Sequence, residues 1–342
     1  MSNPSSSAFS HATPQISREW LEALAPFSRP KTRRALIQLA NTAIPFGVVW
    51  YLMYRSLEVS YALTLALAIP AAFLLIRLFI FQHDCGHGSF LPSRRWNNII
   101  GSLIGVIMLT PYFYWRRTHA VHHATSGNLD RRELGDIDTL TVNEYKALPW
   151  YRRLGYRFYR NAAVMLLLGP LWTFIIKHRF PFDIPMSWRK EWVSIWLTNA
   201  AIAGILVWAW FTIGIGNLLM VQIPINMISG AIGIWLFYVQ HQFEDTYWER
   251  QGEWSFERAG LEGSSFLDLP KVLHWLTGNI GYHHIHHLSS RIPNYRLREC
   301  LDSIPELRQR PVSIAESFKY ARLKLWDEDS AQLVGFDALR RT

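Results

Sequence analysis

Gly278-Asn279-Ile280-Gly281-Tyr282-His283-His284-Ile285-His286-His287-Leu288-Ser289-Ser290-Arg291-Ile292-Pro293 packs four histidines into sixteen residues. Taken as His-x-x-His-His, positions 283, 286 and 287 fall at i, i+3 and i+4, so on a helix three imidazoles leave one face toward a common point. Imidazole is the commonest metal ligand among side chains, and several uncharged rings side by side have no rationale in packing alone. The pattern recurs at His119, His122 and His123, and His83 with His87 adds an i, i+4 pair. Eight of the chain's thirteen histidines are therefore patterned. A structural zinc site closes with four protein ligands and a catalytic one with three, so eight point to two metal ions. Cys85 and Cys300 are the two cysteines, too few for an iron–sulfur cluster or a thiolate zinc site. Iron is the better reading for a nitrogen-rich site of this kind, although ligand type alone does not fix the metal.

The same histidines constrain how the chain crosses a membrane. Half of the 342 residues are hydrophobic and sixteen are tryptophan, which favours an integral membrane protein. The net charge of +9 lies between apolar runs, as the positive-inside rule would place it, and so argues for topology rather than nucleic-acid binding. Four runs are long enough to span a bilayer: 35–54, 61–81, 192–213 and 218–239. Two shorter runs, Ile99–Tyr114 and Ala162–Ile176, are broken by glycine and proline and read as re-entrant or interfacial. If either crossed, the boxes would be divided between the two faces. The expectation is an all-α fold with four transmembrane helices in two hairpins. A cytoplasmic helical cap (82–190 and 240–342) would hold the metals. Residues 1–30 read as a polar tail without a cleavable signal sequence, and 31–342 as one domain. The thiol of Cys85 inside a histidine motif suits a reducing compartment.

Three segments carry a resemblance. They are His83-Asp-Cys-Gly-His87, Pro111-Tyr-Phe-Tyr-Trp-Arg-Arg-Thr-His-Ala-Val-His-His123, and Gly278 to Tyr295. Together they resemble the membrane fatty acid desaturases, and Thr125-Ser-Gly-Asn-Leu-Asp-Arg-Arg-Glu133 is similar to the acyl-lipid, Δ12-type branch. The likeness covers roughly residues 35 to 300. It implies two non-haem irons, held almost wholly by histidine on the cytoplasmic face of what would be a bacterial inner membrane. With O2 as co-substrate, they would introduce a cis double bond into a lipid-bound acyl chain. It also implies a ninth ligand at the end of the last span, matched by His241. Some relatives place an asparagine one turn earlier; here that residue is Phe237, and Asn279 is the candidate substitute.

The remaining residues take lesser roles. Asp84, beside His83, is placed to orient a ligand imidazole. His284 breaks the spacing and reads as supporting or solvent-facing, while His178 and His274 read as structural or interfacial. The acidic run Asp130–Asp138 reads first as a solvated face, with support of the second box or docking of a redox partner as the alternative. No acid–base side chain removes hydrogen from an unactivated methylene, so no catalytic residue is expected apart from the metal centre. The chain carries no haem, nucleotide or iron–sulfur motif, so electrons come from an external donor such as ferredoxin. Two rival readings stand. A hydroxylase or ketolase would share the boxes, whereas a non-catalytic metal-binding membrane protein or transporter would place ionisable residues inside its spans. Arg77 is essentially alone there.

Overall fold

The computed structural model describes residues 16–132 and 134–340; His11 and Glu133 lie outside them. Among the described residues four helices are long and apolar enough to cross a membrane: α2 (Thr32–Ser56), α3 (Tyr61–His87), α9 (Arg189–Phe211) and α10 (Ile215–His241). Each expected run falls on one of them, within two residues at the end of α9. α3 packs against α2 and α10, and its inner half is buried. At 27 residues each, α3 and α10 are about 40 Å long, against about 30 Å of hydrocarbon. They therefore continue past an apolar core by two turns, and their last turns carry His83, His87 and His241.

The short runs bend. α4 (Arg94–Ile107) and α5 (Tyr112–Thr125) meet at 103° across Met108–Pro111, where Leu109 takes a positive φ. After α6 (Val142–Ala147), α7 (Trp150–Tyr159) turns by 65° into the run Val164–Lys177. There the turn α8 (Gly169–Leu171) sits between two π-helical stretches. Pro170 removes a backbone donor from the middle of this run, and the wider winding accommodates the break.

The cap is completed by α11 (Phe256–Leu261), α12 (Lys271–Leu276), α13 (His283–Leu288), α14 (Asn294–Ser303) and α15 (Ile314–Tyr320). Arg77, 2% exposed, ties this cap to the spans. Its guanidinium donates to Thr42 Oγ1 at 3.0 Å and to the Trp275 carbonyl, and lies 4.0 Å from the Trp275 ring centroid.

Two departures from the expected all-helical cap occur at its edges. β1 (Leu267–Asp268) and β2 (Val312–Ser313) pair in parallel, and β3 (Leu325–Asp327) and β4 (Gln332–Val334) form an antiparallel hairpin. In the hairpin, Leu325, Trp326 and Leu333 are buried around an Asp-Ser turn, a short strand signal that helical periodicity does not register. At the other end, the expected tail contains helix α1 (Arg18–Leu24). Trp20, Leu24 and Phe27, an apolar stripe at helical spacing, join the apolar cluster that contains Ile285 and Leu288 of α13.

Candidate metal centre

Nine histidines converge where α3, α5, α10 and α13 end. They fall into two groups among the described residues: His83, His87, His119, His123 and His286; and His122, His241, His283 and His287. Within each group one ring nitrogen per residue lies within 4.8 Å of all the others. Closest are the Nε2 atoms of His241 and His283 at 2.9 Å, and of His123 with both His119 and His286 at 3.1 Å. Imidazole nitrogens about 2.1 Å from one ion would sit roughly 3 Å apart at neighbouring coordination positions. Further nitrogens, Nε2 of His87, His122 and His287, are buried without a partner. Orphaned acceptors this deep are costly unless an ion meets them, and imidazole nitrogens suit iron, zinc, copper and nickel alike.

The boxes do not aim at one point. In each His-x-x-His-His the i and i+4 rings enter one group while the i+3 ring crosses to the other: His119 and His123 against His122, His283 and His287 against His286. The i and i+3 positions differ by about 60° around a helix, enough to address two ions side by side. His123 and His287, one from each group, stack at 4.1 Å with an angle of 14°. Burial, reinforced by the neighbouring imidazoles, holds His283, His286 and His287 well below the usual histidine range, so they are neutral and available as ligands.

Three of the nine rings are oriented from behind through Nδ1, which leaves Nε2 facing the group. His241 Nδ1 donates to the Gly263 carbonyl at 3.2 Å, and His83 Nδ1 lies 3.2 Å from Asp84 Oδ1. Asp84 Oδ2 in turn accepts the backbone and side-chain N–H groups of Asn294 at 2.7 and 2.8 Å. His122 Nδ1 makes a short contact with Asp136. Asp136 belongs to the run read as solvated, yet its side chain is only 7% exposed. Gly135 makes this approach feasible. Its φ is +84°, and a Cβ there would fall 2.8 Å from the Thr118 carbonyl and 3.0 Å from His122 Cβ. The Gly-Asp pair just after the second box was the available signal for Asp136. Asn294 had none, because its role depends on a fold-level approach to Asp84.

The lesser candidates take definite places around the two groups. The Asn279 amide donates to the Asn294 carbonyl at 3.1 Å, and Asn294 in turn donates to Asp84. Phe237 packs on the four-histidine group, 5.0 Å from the His122 ring and 5.3 Å from His241. His284 is fully buried rather than solvent-facing. Its Nε2 donates to the Leu307 carbonyl at 2.9 Å, and burial lowers its pKa to about 4. His178 and His274 stay outside both groups, His274 stacked on Tyr282 at 4.7 Å.

An apolar cavity of about 290 Å³ opens onto His83, His119 and His283. Its wall on α10 runs from Gln240 to Ser229, about 16 Å of helix. The family model for fatty acid desaturases matches residues 58–315. The chain is also 48% identical over 331 residues to a fatty acid desaturase of Bacillus subtilis, covering 96% of this chain and 92% of that one. The chain belongs to the fatty acid desaturase family. More distant similarities of this desaturase include an sn-1 acyl-lipid omega-3 desaturase (ferredoxin) of Synechocystis, at 28% identity over 73% of this chain and 67% of that one. A Delta(12)-oleate desaturase of Trichosanthes kirilowii is 24% identical over 66% and 64%. The desaturase is thus an enzyme with membrane-type helices and a histidine centre that can hold metal.

Proposed function

We propose that the protein introduces a cis double bond into a lipid-bound acyl chain, using O2 at a centre of two irons. Its lipid-derived electrons are supplemented by an external donor such as ferredoxin. The observation that carries the reading is the union of two histidine groups with one apolar cavity that opens onto both. His83 and His119 come from the first group and His283 from the second.

Irons held by the nine histidines would supply, with O2, the oxidising power that acid–base residues lack. The chain's own residues do the rest. Ile76, Phe79, Ile80 and Ile234 line the cavity; they exclude water and take up methylenes at about 0.8 kcal/mol for each CH2 buried. Gln240, beside the cavity, donates to the Ile280 carbonyl at 2.9 Å, fixing α10 to the loop ahead of the third box. Asp84 and Asp136 hold ligand rings in register.

Lipid linkage is supported by the acyl-lipid activity named for the Synechocystis relative and by helices that carry the site only two turns beyond a membrane core. The basic stretch Lys31–Arg34 favours a cytoplasmic site in a bacterial inner membrane. The test is expression in a host without desaturases, followed by gas chromatography with double-bond localisation. A new cis-unsaturated acyl chain in the phospholipids is expected. A hydroxylated or keto product, or an unchanged profile with correctly inserted, iron-loaded protein, would overturn the reading.

A further inference from the structure

On another side of the centre, a surface depression of about 510 Å³ reaches down to His123 and His287. It shares no lining residue with the acyl cavity. The two histidines are the stacked pair, one from each group. His123 is half-buried, and its Nε2 is 3.1 Å from the nitrogens of two fellow members of its group. His287 lies 4.5 and 4.7 Å, ring to ring, from His283 and His241 in the other. A molecule seated here is thus one imidazole away from each metal position.

Charge indicates what sits there. Arg29 and Arg291 are exposed in the lining, which contains no carboxylate. Lys31 and Arg33 follow Arg29 in the chain. The nearby Glu22 is paired with Arg18 at 2.9 Å, and Glu257 accepts the Ser17 N–H. Apolar lining from Leu21 and Phe256 beside the two arginines fits a protein with an acidic face around an apolar contact.

The chemistry requires such a visitor. Removing two hydrogens from –CH2–CH2– breaks two C–H bonds, forms the C=C bond and releases two electrons and two protons. Reducing O2 to two waters consumes four of each, so two electrons and two protons come from outside in every turnover. We infer that this depression is the docking site of an acidic one-electron carrier protein, two molecules of which are each oxidised by one electron per double bond formed. The inference rests on the desaturase reading above and adds its electron entry point.

The test uses full-length, metal-loaded protein in nanodiscs, titrated with an acidic [2Fe–2S] ferredoxin at low and at physiological salt. In the Arg29→Glu/Arg291→Glu double variant the Kd is expected to rise about tenfold at low salt and to lose most of its salt dependence. Its metal content and its turnover with dithionite as reductant should match the parent. Arg153→Glu, on α7, should bind ferredoxin as the parent does. The proposal is overturned if the double variant binds and accepts electrons from ferredoxin like the parent, or if Arg153→Glu weakens binding equally. Kd is read without turnover. A parent protein that bound ferredoxin at this site but formed no double bond with any reductant would therefore sink the desaturase reading and leave the docking site standing.

Discussion

His284 and His283 are adjacent in sequence and opposite in role. His283 belongs to the four-histidine group, whereas His284 anchors α13 to the turn before Arg308. Alanine at 283, 286 or 287 removes a nitrogen that no neighbour replaces. Each variant is expected to lose desaturation in a lipid profile and to carry less iron by metal analysis at matched membrane expression. His284→Ala should keep its iron and measurable activity while melting at a lower temperature, because it leaves the Leu307 carbonyl and a buried space unfilled. Iron loss in His284→Ala with iron retained in His283→Ala would invalidate this assignment. Asp136→Asn keeps the shape but removes the charge behind His122; a loss of about 10–100-fold in metal affinity or activity is expected, measured as iron retained against a graded chelator. Nearly all of the candidate ligands were legible from the sequence, since box spacing is local. What decided which ring joins which group was not, because that depends on how α5 and α13 face each other across some 160 residues of chain.

At the scale of elements, the four long apolar runs were legible because length and composition are sufficient to mark a candidate span, and the demand that the boxes meet predicts that only these four cross. The bends of 103° and 65° fit either a broken span or a re-entrant loop; a site shared by the first two boxes requires re-entry of the α4–α5 pair. Single-cysteine labelling in intact cells checks it. Ser93, Ala120 and Ser187 are exposed next to the bent elements or at the start of α9, and Glu58 and Thr212 are exposed in the hairpin turns. The first three are expected on one face and the last two on the other, with native Cys85 and Cys300 unreactive because both are buried. Labelling that divides Ser93 from Ala120 would disprove the shared site. Less legible were α1 and the β3–β4 hairpin. Their apolar residues number only three or so apiece and become informative once there is a cap for them to cover.

For the whole molecule, metal is expected to be part of what holds the cap together. Four elements meet at the nine rings, and the four-histidine group is buried throughout. Exhaustive chelation should leave those nitrogens without partners and lower the unfolding temperature by several degrees, read by intrinsic tryptophan fluorescence in detergent, with recovery on adding Fe(II) under anaerobic conditions. An unchanged melting curve after complete metal removal would show that the cap is assembled without it. The same interleaving has a consequence for biosynthesis. His286 is needed by one group and His283 and His287 by the other, so neither can close until the third box has left the ribosome. At about 5–20 residues per second, the five histidines of the first two boxes wait roughly ten to thirty seconds for their partners. During that interval they form an incomplete chelate that any passing divalent ion can occupy. Correct metallation is therefore a race within each nascent chain, and slowing translation between residues 124 and 282 would raise the share of chains that finish with the wrong metal.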